Sequence, residues 1–371
     1  MALFWAVAAP ISDVPLYRLY AAGFPHRLPV EYPGLAGVVF ALPRLLPVPY
    51  VWGFMLLMAA AFLLLLRVGR RSPGLPEGWG PRFLTYVALG VAGVLITRFD
   101  VLPAITVLLA VERARAGRWR AAWAWALAGA LLKVFPILLL PGFLLAERRS
   151  TGRTPWGRAA ASAAGLGLVA ALQSWWAPGT LLRPLAYEVH RGFELSSVPG
   201  TLTLLLSPAH VRYGSAYGTH QIYGAGHGGI ALLLAVATVA GLAWAWFHAG
   251  RGSMPVEAVA LAVISVAVLT DKALAPQYLL WLAPLWAYWA PRRSWLLAAA
   301  LTTLVFPVFF LVAGYTGSFY ADTIVAGVRN AVLLAGTAAW AVEGLRTRWA
   351  ERATCPAVVP DQPEVVPCPI A

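Results

Sequence analysis

The feature that most constrains this chain is a series of long apolar runs separated by short arginine-rich breaks. Tyr50–Leu66 ends at "RVGRR", Phe83–Thr97 ends at "RFD", and Ala159–Trp175 follows "ERRSTGR". Further runs cover Ile230–Phe247, Val256–Leu269, Leu274–Trp289, Trp295–Ala313 and Ile324–Gly344. Several approach the roughly 20 residues that a helix needs to cross a bilayer. In hydrocarbon each backbone donor and acceptor must be satisfied within the chain, which leaves helices or a closed barrel. No run alternates as a barrel strand does. The expected fold class is therefore all-α, a polytopic helical membrane protein. Composition agrees, since 12% of residues are charged where a soluble domain carries about 25%.

The net charge of +13 does not indicate a nucleic-acid partner. The arginines are spread over short connections, which is how membrane topology is written. With Arg67/Arg70/Arg71, Arg113–Arg120, Arg148–Arg158, Arg292/Arg293 and Arg346–Arg352 in the cytoplasm, the chain threads back and forth without conflict. Asp13, Arg98–Asp100, Lys133, the Ala177–Gly229 stretch and Asp271-Lys272 then lie outside. The expected organisation is one multi-pass domain over residues 1–348, with outer loops 12–33 and 177–229. A Pro-rich cytoplasmic tail over 349–371 has the composition of a disordered segment. Cys355 and Cys368 form no CxxC pair, and no metal-ligand spacing or cofactor motif is present. Met1–Ile11 lacks a signal peptide's basic start and is too short to cross a bilayer as a helix. The expectation is an earlier start or a truncated first span.

Some runs are short. Val101–Val111 rises about 17 Å against a hydrocarbon core of about 30 Å. Ala121–Leu132 and Val134–Leu145 are broken at "KVFP". Short and broken helices leave an outward-facing cavity in which polar residues can collect. Lys133 and Lys272 are the only lysines among 28 basic residues. Each borders an apolar run, either as an anion ligand or as a snorkelling end group. Lys272 stands in "TDKALAPQYLLW" with Asp271, Gln277 and Tyr278. Arg98 and Asp100 form either a local ion pair that caps a helix or part of a site. "LAYEVHRGFELSSVPGTL" carries Tyr187, Glu188, His190, Arg191, Glu194, Ser196 and Ser197, too polar for a span. A loop of about fifty residues in a tightly connected chain is more often functional than idle. Asp13 either caps the helix of "VPLYRLY" or acts chemically. Glu31-Tyr32-Pro33 precedes another helix, with Pro33 near its first turn. No P-loop, Rossmann fingerprint, GxSxG elbow or HExxH is present.

Taken together, these stretches resemble the GT-C class of polyprenyl-phosphate-sugar-dependent glycosyltransferases, and within it family 87, the alpha-mannosyltransferase-like membrane proteins. "SDVPLYRLYAAGFPHRLPVEYPG" resembles their first outer loop, with His26 and Gly34 as departures. "RFDVLPAITVLLAVERARAGRWRAAWAWALAGALLKVFPILLLP" is similar to the group's Arg-Tyr-Asp, basic turn and Lys-x-x-Pro stretch. "YEVHRGFELSSVPGTL" departs where Glu194 replaces a usual Gln and Ser196 a usual Glu. "DKALAPQYLLWLAPL" is similar to a Lys-x-x-Ser-Pro-Gln-Tyr pattern. The resemblance covers roughly residues 12–345.

The resemblance implies an inverting hexosyltransferase of the cell membrane, with mannose as the expected sugar. Donor and acceptor would be a polyprenyl-phosphate-linked sugar and a lipid or glycan, meeting among membrane lipids on the extracytoplasmic side. Asp13 would be the general base on the acceptor hydroxyl, a weak nucleophile. Fixed cations would steady the phosphate leaving group, in the order Lys272, Arg191, His190, Lys133 and Arg98. Asp100, Glu31, Tyr32, Glu194, Gln277 and Tyr278 complete the expected substrate contacts, with no metal. The competing reading is a transporter or flippase for a lipid-linked or anionic substrate, which also needs cations at membrane depth. No inverted repeat supports it.

Overall fold

The computed structural model describes residues 12–216, 219–316 and 319–346. The expectations for Met1–Ile11 and for the 349–371 tail, with its two cysteines, lie outside the described residues.

Helices dominate. Among the described residues, four are long and apolar enough to cross a membrane: Tyr50–Arg71 (α3), His227–Arg251 (α11), the stretch Arg293–Val312, kinked at Phe306, and Tyr320–Arg346 (α16). Before α3 come α1 (Val14–Gly23), with a proline in its first turn, and the short α2 (Ala36–Ala41). Between α3 and α11 lie α4 (Trp79–Gly90), α5 (Val101–Arg115), α6 (Trp119–Leu132), α7 (Leu139–Thr151), α8 (Trp156–Trp176), α9 (Arg183–His190) and α10 (Val198–Leu206). After α11 come α12 (Val256–Thr270), α13 (Leu279–Trp286), α14 (Arg293–Thr303) and α15 (Phe310–Thr316).

Two runs read as spans are shorter helices. Leu274–Trp289 becomes a 3-10 turn at Pro276–Tyr278 followed by the eight-residue α13, which is buried along its whole length. It is apolar because other helices surround it. Phe83–Thr97 stops being helical at Gly90, and the chain then turns through residues 91–100. The break at "KVFP" holds. Pro136 has no N–H and its ring would clash with the carbonyl four residues back. Accordingly α6 ends at Leu132, Lys133 is extended (φ −152°, ψ 131°), and a 3-10 turn leads into α7. Pro307 acts similarly. Phe306 before it is extended (φ −141°, ψ 123°), and the chain between α14 and α15 is wound as a π-helical bend over Leu304–Phe309.

The chain is mostly helical, in line with the all-α expectation, and the Ala177–Gly229 stretch is not an irregular loop. Besides α9 and α10 it holds an antiparallel sheet of β1 (Phe193–Glu194), β2 (Arg212–Ala216) and β3 (Thr219–Tyr223), in the order β1-β3-β2. Ile222 pairs with Phe193 on one side and Tyr213 on the other. Phe193 and Ile222 then pack on Ile230 and Leu234 of α11. Two to five residues per strand, many of them polar, give too little alternation to be seen in the sequence.

Two packed regions fix the site. The main core carries stacked tryptophans, with Trp286 and Trp295 at 5.4 Å. A second, aromatic cluster joins α1 to α2, α3 and the turn at Phe99. Tyr17 stacks on Phe40 at 4.4 Å, and Tyr32 meets Phe99 edge-on at 4.9 Å. Such rings bury large areas and prefer these offset or edge geometries. They hold the start of α1 beside the ends of α4 and α6.

Candidate functional site

A cavity of about 580 Å³ opens where these pieces meet. Its lining includes Asp13, Glu31, Tyr32, Arg98, Lys133, Arg191, Glu194, Gln277 and Tyr278, all anticipated from the sequence. By chain order they sit at helix ends remote from the arginine clusters. Arg98 follows α4, whereas Arg113 and Arg115 close α5. Lys133 follows α6, whereas Arg148 and Arg149 close α7.

Two charge pairs organise one wall. Arg98 pairs with Asp13, from the turn before α1. Lys133 Nζ lies 2.7 Å from Asp100 Oδ1. The local Arg98–Asp100 pairing considered from the sequence is therefore replaced by two longer-range pairs. Neither aspartate uses its side chain as an N-cap, although each precedes a helix. Asp13 instead also accepts a hydrogen bond from the Tyr17 hydroxyl at 3.3 Å. Burial lowers the Arg98 pKa to about 10, against the opposing pull of Asp100 and Glu194, so it stays cationic at neutral pH.

Lys133 is caged. Its ammonium lies 4.6 Å from the ring centre of Trp281, 5.0 Å from Tyr278, 5.4 Å from Phe99 and 5.5 Å from Tyr32. Ring faces attract a cation at these distances. Asp100 is 1% exposed and sits behind this cage, where it also accepts from Trp281 Nε1 at 3.0 Å. It positions Lys133 and does not line the cavity, contrary to the expected substrate contact.

Arg191 is the third cation of the lining. It is 7% exposed, pairs with Glu188 at 3.3 Å and leaves its Nε without a partner. Glu31 is in no ion pair among the described residues. Burial raises its pKa, opposed by a hydrogen bond from Tyr187 and by the charge of Arg191.

Two expected phosphate ligands are elsewhere. Lys272 Nζ donates to the carbonyls of Glu188 at 2.8 Å, Val189 at 3.1 Å and Arg191 at 3.3 Å. It caps the end of α9, where helical carbonyls have no partner of their own and a cation is favoured. His190 is exposed, with its Nδ1 2.7 Å from the Ala186 carbonyl oxygen of its own helix. Neither lines the cavity.

Other residues were missed. Asp322, in the first turn of α16, lines the cavity at 3% exposure. Arg329 is fully buried one helical stretch further on. It donates to the carbonyls of Leu274, at 3.2 Å, and of Ser196, and to Asn330 Oδ1. A signal existed, because Arg329 and Asn330 interrupt the apolar run Ile324–Gly344, and ionisable residues there mark functional interiors. His220, Phe306 and Phe310 also line the cavity and carry no sequence signal of their own. Among the described residues, no group of three or more His, Cys, Asp or Glu side chains is placed to hold a metal ion.

Comparisons with protein-family models, with curated proteins and with solved structures find no match to this chain.

Proposed function

We propose that this chain is an integral membrane glycosyltransferase resembling the GT-C class. It would move a hexose, mannose by resemblance, from a polyprenyl-phosphate sugar to a lipid or glycan acceptor, with inversion. The observation that carries this reading is a carboxylate, Asp13, set in the same cavity as three cationic side chains, among helix ends remote from the arginine clusters. With those clusters in the cytoplasm, the cavity faces outward and the C-terminus inward.

The chemistry follows from the groups present. Asp13 takes the proton of the acceptor hydroxyl as its oxygen attacks the anomeric carbon. The bond from that carbon to the phosphate oxygen breaks, and the electron pair leaves on the polyprenyl phosphate. Of the three cations, Arg191 is best suited to the phosphate. Lys133 is held by Asp100 and four rings, and Arg98 by Asp13. Arg191 pairs with Glu188, whose side chain is 46% exposed, lies 5.6 Å from the centre of a single ring, Tyr187, and leaves its Nε unpartnered. A guanidinium fork matches phosphate geometry. One-sided placement favours transfer over transport, which needs a path to both faces.

The test is a transfer assay with purified protein, polyprenyl-phosphate mannose and membrane lipid, with products identified by mass spectrometry. A glycosylated lipid that disappears with Asp13→Asn supports the reading. Full activity in that variant overturns the assigned base.

A further inference from the structure

The short helix α9 has two faces that differ in kind. Tyr187, Glu188 and Arg191, the last just past its end, line the cavity. Leu182, Leu185 and Val189 fall on the opposite face and are 67%, 63% and 62% exposed. Their spacing of three and four residues sets them in one stripe. No residue of α9 is buried. The helix is tethered from the cavity side, by Lys272 on its last carbonyls and by Tyr187 hydrogen-bonded to Glu31. Its apolar stripe has no protein against it.

The preceding helix, α8, sets the height of this stripe. It is 21 residues long and only Ser162 is buried. Its rise is about 31 Å, against a hydrocarbon core of about 30 Å. Trp156 stands at one end, between Arg153 and Arg158, and Trp175 and Trp176 stand at the other. Trp156 is 70% exposed and Trp175 80%. Tryptophan collects at the two interfaces of a bilayer. Alanine and glycine leave α8 less apolar than the four long helices, so its length and its tryptophan ends carry this placement. The tryptophan pair is on the side of the cavity. Trp176 Nε1 donates to the Pro25 carbonyl at 3.1 Å, just after α1, and its ring meets Phe24 edge-on. Hydrogen bonds from Thr180 N to the Ala177 carbonyl and from Arg183 N to the Thr180 carbonyl then wind the short connection into turns. The helix α9 therefore starts close to the height of these tryptophans.

We infer that α9 is an interfacial helix docked on the outer leaflet, with Leu182, Leu185 and Val189 in the acyl boundary. The partner is the phospholipid surface itself, and the docking does not depend on the chemistry proposed for the cavity. An amphipathic helix of this kind buries its apolar face about 5–10 Å into the boundary and keeps its polar face above it. The exposed Arg183 lies on the flank between the two faces, where a guanidinium meets lipid phosphates. The exposed surface of α8 leads directly into the stripe, so one sheet of lipid covers both. The cavity wall is here one helix thick, with lipid on one side and Glu188 and Arg191 on the other.

Photolabelling of the wild-type full chain tests this. The chain is placed in nanodiscs of phosphatidylcholine and phosphatidylglycerol, with a phosphatidylcholine that carries a diazirine near the acyl carbonyl. Mass spectrometry then maps the adducts. The expected result is labelling at Leu182, Leu185, Val189 and along α8, with Tyr187 and Glu188 spared. Leu185→Gln/Val189→Gln should cut labelling at Leu182 severalfold and leave that of α8 unchanged. Labelling of α8 with none on α9, or equal labelling all round α9, overturns the docking. A dimer whose second copy shields α9 from labelling overturns it in favour of a protein partner. A wild-type chain with no adducts on α8 removes the height reference, and the proposal falls with it.

Discussion

Lys133 and Asp100 meet at 2.7 Å inside an aromatic cage, with the carboxylate 1% exposed and the lysine reaching the cavity. The contact joins the break after α6 to the start of α5. Removing one member of a buried pair leaves the other uncompensated, at a cost of about 3–5 kcal/mol. Asp100→Asn should therefore lower the unfolding temperature in detergent markedly. The double variant Asp100→Asn/Lys133→Met should be more stable than either single change predicts by addition. Thermal unfolding of the four proteins checks the coupling.

Asp13 and Arg98 provide a second coupled pair, with a different outcome. On the proposed mechanism, Asp13→Asn should slow transfer by about 10²–10⁴-fold, the usual contribution of a general base. It also strands Arg98, so some stability is lost with it. Adding Arg98→Gln should recover stability without recovering transfer. Parallel melting curves and product yields separate these two effects.

Stability should respond to pH through Asp271, at the end of α12. Burial, reinforced by the charge of Glu188, pushes its carboxyl from the usual 3.8 up to about 7. Between these values the folded chain holds a proton that the unfolded chain has released. Stability then falls as pH rises, because the unfolded state binds fewer protons. Asp271→Asn should make this decline shallower between about pH 4 and about pH 7. Melting temperatures measured across that range read the difference in slope.

Arg329 ties α16 to the two segments that carry Ser196 and Leu274. Each hydrogen bond from a charged donor is worth about 1.5–3 kcal/mol. Arg329→Lys should cost at least about 2 kcal/mol, because a single ammonium cannot reproduce the fork that spans both carbonyls. Unfolding should shift to lower temperature, and limited proteolysis should cut sooner around residues 190–223.

Much of the helical architecture was legible because burial in apolar surroundings and helix-breaking prolines leave plain marks. The α12 run is matched within a residue, and Pro136 marks the break at Lys133. The eight-residue α13 was not legible as such, since a core helix and a lipid-facing one are equally apolar. The small sheet was hidden by strands too short to show alternation. Of the site, Asp13, Lys133, Arg191 and Glu194 stood out as polar residues in costly places. Lys272 stood out for the same reason, yet its ammonium is consumed by the carbonyls of α9. Which of two rare lysines faces a cavity depends on side-chain direction, and sequence spacing does not encode that. Asp322 was overlooked because one acid at the start of an apolar run looks like an ordinary helix terminus.

The tie between Arg329 and the Ser196 and Leu274 carbonyls has a consequence for biogenesis. Asp13, Arg98 and Lys133 emerge early from the ribosome, but the cavity wall is completed only when α16 follows them. A nascent chain halted before this helix leaves the Ser196 and Leu274 carbonyls without these donors and lacks Asp322, so it has the proposed base in an incomplete cavity. Closure of the cavity wall therefore waits on α16, the last helix among the described residues.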